Sequence, residues 1–208
     1  MEFRLENADH LIVSERIGSI DEYLTYLNEK DIVCLGKMGS LTRRTAGAAW
    51  RSLVYRELGN VELGYNEAGS PVIISADAGV PKWSYIGVTH SDGYVAVIFS
   101  NTRCAIDIER TDRDFSRAAT RFVSPQEEAF IGNPLSYPAI WCAKETMYKF
   151  SGRKGLDLIR DIRITDIDYD TGTIRATFEN SENPHPHIIK MHLLDGHLIT
   201  YMAANFAK

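Results

Sequence analysis

Hydrophobic spacing along the chain changes period several times. In SIDEYLTYLN, Ile20, Leu24 and Leu27 recur at helical spacing and predict a helix over residues 19–28. Ser19 followed by Glu22 forms a capping box at its start. A longer helix is predicted over 41–58, with Ala49, Leu53 and Leu58 on the buried face and Gly59 as its stop. The middle of the chain turns to short strands over 85–89, 94–100 and 104–109, and Asp92-Gly93 joins the first two as a type I′ hairpin. Ser124-Pro125-Gln126-Glu127 is a second capping box, with proline at the first helical position, opening a helix to about residue 131. Pro138 suits the start of another helix, running through Phe150. Strands return over 161–168, 173–179, 187–194 and 197–205, and Asp195-Gly196 makes the last pair a hairpin. Helices followed by antiparallel strands in each half predict an α+β fold rather than a βαβ one.

Composition narrows the class. At 208 residues the chain suits one large domain or two small lobes, given about 150 residues per domain. A chain of this size buries roughly 70% of its unfolded surface, so its core needs neither a disulfide nor a structural metal. The formal net charge of −5 argues against a nucleic-acid coat or a basic membrane binder, leaving only a local basic patch open. Cys34, Cys104 and Cys142 are far apart and form no CxxC pair, which reads as reduced thiols. The first residues hold no long apolar stretch, and no run approaches the ~20 apolar residues of a membrane helix. These features predict a soluble cytoplasmic protein, a monomer without nucleic-acid or membrane partners.

Three segments carry candidate chemistry. In Ala105-Ile106-Asp107-Ile108-Glu109, the strand period of two puts both acids on one face and both isoleucines on the other. Two carboxylates one pleat apart repel unless a cation or donors compensate, so this is either a solvated strand face or a cation site. In Trp141-Cys142-Ala143-Lys144-Glu145-Thr146-Met147-Tyr148-Lys149, residues 141, 145 and 149 share one helical face. Glu145 would complete a three-carboxylate site for a hard cation such as magnesium, and Lys149 would reach a phosphate. The competing reading is an exposed Glu145–Lys149 ion pair worth about 0.2–0.5 kcal/mol. In Ile86-Gly87-Val88-Thr89-His90-Ser91, a histidine at a strand end beside hydroxyls offers donors to an anion, or is simply a polar turn residue.

Taken in order, THS, AIDIE and WCAKETMYK resemble the signature of the 4′-phosphopantetheinyl transferases of the surfactin-synthetase-activating type. The resemblance spans about residues 69–155. It implies two similar lobes related by a pseudo-twofold, each an antiparallel sheet packed with helices: 1–103 with coenzyme A contacts, and 104–208 with the magnesium and catalytic residues. Asp107, Glu109 and Glu145 match the family's magnesium-binding acids, and manganese would serve in the metal's place. Lys144 matches the lysine beside the acid, counted here with the coenzyme A contacts, and Lys149 matches the phosphate-contacting lysine. His90 matches a histidine on the coenzyme A 3′-phosphate, with Thr89 where the family usually has serine. Arg43 or Arg44 matches a further 3′-phosphate arginine: Gly47 favours the first, the Arg-Thr pair the second. Gly69-Ser70-Pro71 resembles a Gly-Lys-Pro stretch near the adenine, with the lysine replaced by Ser70 and Pro71 retained. Ala105 replaces the usual glycine before Ile-Asp-Ile-Glu. Glu127 matches an acid discussed as a base, although its capping-box position points to a structural task.

The implied reaction moves the phosphopantetheine arm of coenzyme A to a serine of an apo acyl, peptidyl or aryl carrier protein and releases adenosine 3′,5′-bisphosphate. Glu145 is the first choice of base, with Asp107 and Lys149 beside it. The acidic total charge implies that a carrier is met by a local patch with apolar anchors. Another magnesium-dependent phosphoryl or nucleotidyl transferase would also explain the acids, but the chain contains no GxxxxGK[ST] loop. A silent coenzyme A or carrier-binding module would keep His90 and an arginine while tolerating loss of the acids, all three of which are present.

Overall fold

The computed structural model describes residues 3–76, 82–180 and 185–204, which belong to two compact units, Met1–Asn101 and Thr102–Lys208. Each is α+β, with antiparallel strands and helices packed on them.

The first unit runs β1 (Phe3–Glu6), β2 (His10–Arg16), α1 (Asp21–Leu24), α2 (Glu29–Gly36), α3 (Leu41–Leu58), β3 (Val61–Tyr65), β4 (Pro71–Ala76), β5 (Tyr85–Ser91) and β6 (Tyr94–Ser100). Its four-stranded sheet has the order β1-β2-β6-β5, and β3 pairs with β4 separately. β6 is buried along its whole length, which is why it reads as a continuous apolar run rather than an alternating one. β5 and β6 pair out to Ser91 and Tyr94, so the turn is Asp92-Gly93 alone, with φ of 43° and 86°. Those left-handed values are what the type I′ turn needs. Ser40 Oγ accepts from the Arg43 amide at 3.2 Å and caps α3. Ala49 and Leu53 of α3 are fully buried against Val95, Val97 and Phe99, while Leu58 is half-buried at the cluster's edge.

The amino-terminal half departs from the expected elements. The helix expected over 19–28 is instead the single turn α1, followed by α2. Asn28, expected to end one helix, starts the next: its Oδ1 accepts from the Asp31 amide at 2.9 Å. The Glu22 half of the capping box is present, with the Ser19 amide donating to Glu22 Oε1 at 2.9 Å. Tyr23, not Leu24, is the buried residue of α1. Strands β1, β2, β3 and β4 were not predicted from the spacing.

The second unit runs β7 (Cys104–Arg110), 3-10 helices at Ser116–Arg121 and Pro125–Phe130, α4 (Ser136–Ser151), β8 (Ile162–Asp168), β9 (Thr173–Phe178), β10 (His187–Leu194) and β11 (His197–Ala203). Its sheet has the order β7-β11-β10-β9-β8, antiparallel throughout. The turn after Pro125 is a 3-10 helix where an α-helix was expected. α4 begins two residues before Pro138, which leaves the proline in the first turn, where its missing N–H costs nothing. The strand expected to reach residue 205 ends at Ala203, and Asn205 lies outside the described residues. Ile140, Ala143 and Met147 of α4 pack on Ile162, Ile164, Ile174, Ile189, Leu198 and Met202 of the sheet. All three cysteines are free thiols. Among the described residues, no helix is long and apolar enough to cross a membrane.

Candidate functional site

β7 alternates as its period dictates. Ile106 and Ile108 are buried on one face, and Ala105 on the other joins the core beneath α4. Asp107 and Glu109 share the Ala105 face, so α4, not solvent, lies over the acids. Asp107 is 6% exposed, which removes the reading of a simple solvated strand face.

α4 crosses this strand with its 141–145–149 face turned to the acids. Lys149 Nζ donates to Asp107 Oδ1 at 2.7 Å and to the Ile106 carbonyl at 3.1 Å. Trp141 Nε1 donates to Glu109 Oε1 at 3.2 Å, while its ring packs on Phe115 and Phe122. Burial pushes the Glu145 carboxyl above its usual range, the charges of Asp107 and Glu109 push it the same way, and Lys149 opposes them. Lys149 therefore reaches across to the strand, contrary to the picture of an exposed surface pair. The neighbouring face of α4 is tied to the sheet at Thr146, whose Oγ1 lies 2.7 Å from Thr200 Oγ1. Burial and the same acids raise the Cys142 thiol well above its ordinary value, so Cys142 is an inert neighbour rather than a nucleophile.

Arg113 completes this constellation, and sequence spacing did not single it out. Its Nη1 donates to Glu109 Oε1 at 2.9 Å, and its guanidinium lies 5.0 Å from the Phe115 ring centroid. It sits beyond the end of β7, where neither the strand period nor the helical period speaks.

Among the described residues, no group of three or more histidine, cysteine, aspartate or glutamate side chains is gathered to hold a metal. The donor set nevertheless suits a hard cation. All three groups are carboxylates, and their mutual repulsion at Glu145 is what a divalent ion relieves.

Lys144 goes elsewhere. It is fully buried, and its Nζ donates to Glu127 Oε2 and to the Leu158 carbonyl, both at 2.7 Å. Burial lowers its pKa and Glu127 opposes that shift. Two acceptors hold this ammonium inside the core, apart from the face of α4 that carries Glu145 and Lys149, where it was expected among the coenzyme A contacts. Glu127, also fully buried, accepts from the Ser124 amide at 2.7 Å and the Ile164 amide at 2.6 Å, the structural task its capping box suggested.

The other candidate residues lie in the first unit. His90 is exposed near the end of β5, and Thr89 is buried beside it. Arg43 is exposed and Arg44 half-buried in the first turn of α3, a turn without acidic residues. Arg44 Nε is buried with no hydrogen-bond partner among the described residues. Two guanidiniums at the positive end of a helix are disfavoured unless an anion joins them. The Ser70 amide donates to Asn66 Oδ1 at 2.9 Å, and Pro71 opens β4. β4 and α3 both pack against β5.

No curated protein matches the chain. A family model described as the 4′-phosphopantetheinyl transferase superfamily matches residues 103–202, which contain Asp107, Glu109, Glu127, Lys144, Glu145 and Lys149 but not His90 or the arginines of α3. The stretch similar to that superfamily thus carries the acid-bearing strand, the helix that covers it and the strands of the sheet they share.

Proposed function

We propose that this protein transfers the 4′-phosphopantetheine arm of coenzyme A to a serine of an apo acyl, peptidyl or aryl carrier protein, in the manner of the surfactin-synthetase-activating type. The serine oxygen bonds to the β-phosphorus of coenzyme A, the bridging P–O bond breaks, and adenosine 3′,5′-bisphosphate leaves. The observation that supports this most is the facing of Asp107 and Glu109 on β7 with the 145–149 face of α4, inside the matched domain.

Each side chain has a task in that reaction. Glu145 takes the serine proton, directly or through water, from its place beside Asp107 and Glu109. Lys149, held at 2.7 Å on Asp107, presents positive charge where the leaving phosphate becomes more negative. Asp107, Glu109 and Glu145 would hold magnesium, or manganese in its place, which supplies charge neutralisation at the pyrophosphate oxygens when bound. Arg44 and His90 would take the 3′-phosphate, with Arg43 as an outer charge, and Ser70 and Pro71 would contact the adenine. Arg44 is preferred over Arg43 because its Nε is buried without a partner.

Mass spectrometry of apo carrier proteins incubated with the protein, coenzyme A and magnesium tests the reaction. A serine that gains the phosphopantetheine group is the expected result, with none in excess chelator. Unchanged mass across acyl, peptidyl and aryl carriers would sink the proposal. The anion contacts have their own test. Arg44→Ala or His90→Ala is expected to raise the KM for coenzyme A about tenfold, and that for dephospho-coenzyme A far less, because only the former carries the 3′-phosphate. Equal effects on the two substrates would assign these residues to something else.

A further inference from the structure

Glu127 and Lys144 form an ion pair with no exposed surface, 2.7 Å apart, and the transfer chemistry proposed above uses neither side chain. Every bond they make is directed. Glu127 Oε2 takes the Ser124 amide and Lys144 Nζ, Oε1 takes the Ile164 amide on β8, and Lys144 gives a further hydrogen bond to the Leu158 carbonyl. One pair thus joins the 3-10 turn at Pro125, α4, the loop after α4 and β8. Well-packed apolar side chains often hold a core as well as or better than a buried ion pair, so stability alone does not account for it. Directed hydrogen bonds fix an angle in a way that apolar packing does not.

The angle in question is that of Glu145. Successive residues on a helix are about 100° apart, so Glu145 projects between its two neighbours. Both neighbours are tethered: Lys144 to Glu127 on one side, and Thr146 to Thr200 of β11 on the other. At a side-chain radius of about 6 Å, a helix rotation of about 20° moves a carboxylate by about 2 Å. Displacements of about 1 Å in a catalytic group cost on the order of 100-fold in rate.

We infer that Glu127 and Lys144 are positioning residues, which lock the rotation of α4 and thereby hold Glu145 toward Asp107 and Glu109. This rests on the transferase reading for its kinetic consequence and on geometry alone for its structural one. Two variants test it. Glu127→Gln keeps the shape and one of the two amide contacts, while its NH2 group replaces the other accepting oxygen and the charge that aims Lys144 is lost. Lys144→Met combined with Glu127→Leu fills the same space with apolar atoms. Each is compared with the wild-type protein by thermal melting, by steady-state kinetics with coenzyme A and apo carrier, and by Mn2+ binding without substrates. A cooperatively melting variant is expected to lose about tenfold or more in kcat, with the KM for coenzyme A within about threefold. Its Mn2+ affinity is expected to fall about tenfold, a readout that does not depend on turnover. A wild-type protein that binds Mn2+ but transfers nothing would overturn the transferase reading and leave the positioning result standing. A folded variant with wild-type kcat, or with wild-type Mn2+ affinity, would overturn the positioning role. Glu127→Gln, isosteric with the native residue, covers the case in which the double variant does not fold.

Discussion

Glu145→Gln is expected to lower kcat by about 1,000-fold, in keeping with the 100- to 10,000-fold span of general acid–base catalysis. That corresponds to about 4 kcal/mol of transition-state stabilisation. The amide has the same shape, so coenzyme A should bind with nearly the same KM. Stability should move the other way. The Glu145 carboxyl is disfavoured in its charged form by burial and by Asp107 and Glu109, and glutamine removes that repulsion, so the variant should melt no lower than the wild type. A large loss of turnover without loss of stability separates a working group from a structural one. Lys149→Ala should also fall mainly in kcat, because its charge matters most as the leaving phosphate develops. Retained turnover in both variants would leave this face of α4 as a structural contact with β7 and nothing more.

The largest stability loss is expected in the other unit. Arg51 of α3 is buried, and its Nε donates to Asp31 Oδ1 of α2 at 2.9 Å, its Nη1 to the Gly47 carbonyl at 3.0 Å and its Nη2 to the Tyr65 hydroxyl at 2.8 Å. Tyr55 donates to the second oxygen of Asp31, and the guanidinium stacks 4.2 Å from the Trp50 ring centroid. Arg51→Ala would strand a carboxylate in the core and open a hole beside Trp50. Breaking a buried pair from one side costs about 3–5 kcal/mol, which urea denaturation would resolve easily. Arg51→Met with Asp31→Leu should cost much less, since it leaves no lone charge behind. A loss below about 1 kcal/mol for Arg51→Ala would show that the pair does not hold α2 and α3 together.

The same pair explains why part of the fold was illegible from local spacing. α2 buries Asp31 and exposes Ile32 and Val33, reversing the polarity by which amphipathic helices are recognised. The cause lies twenty residues away on Arg51. β2 escaped for a related reason: His10 to Glu15 are all buried, so HLIVSER never alternates as a half-solvated strand would. Where the local chemistry decides, the sequence is enough. Asp92-Gly93 and Asp195-Gly196 specify their turns by themselves, and the facing of 141, 145 and 149 follows from helical period alone. What period could not supply was depth. Nothing in Lys144 or Glu145 as letters says that one ammonium is sealed in the core while the adjacent carboxylate faces the acids of β7. Nor could spacing find Arg113, whose bond to Glu109 depends on how the chain leaves the strand.

The order of the second sheet bears on how the site comes into being as the chain is made. β7, which carries Asp107 and Glu109, lies at the edge of that sheet and pairs with β11, where Asp107 stands opposite Thr200. At about 5–20 residues per second, a ribosome needs on the order of 5–20 s to travel from one to the other. Throughout that interval the acidic strand has been synthesised but cannot be zipped into its sheet. α4, made in between, can settle on the paired strands β8 and β9 first, but its contact with β7 within a paired sheet waits for β11. The pairing that seats Asp107 in its sheet is thus a late event in translation, because β11, which stands opposite it, is made after the other strands of that sheet.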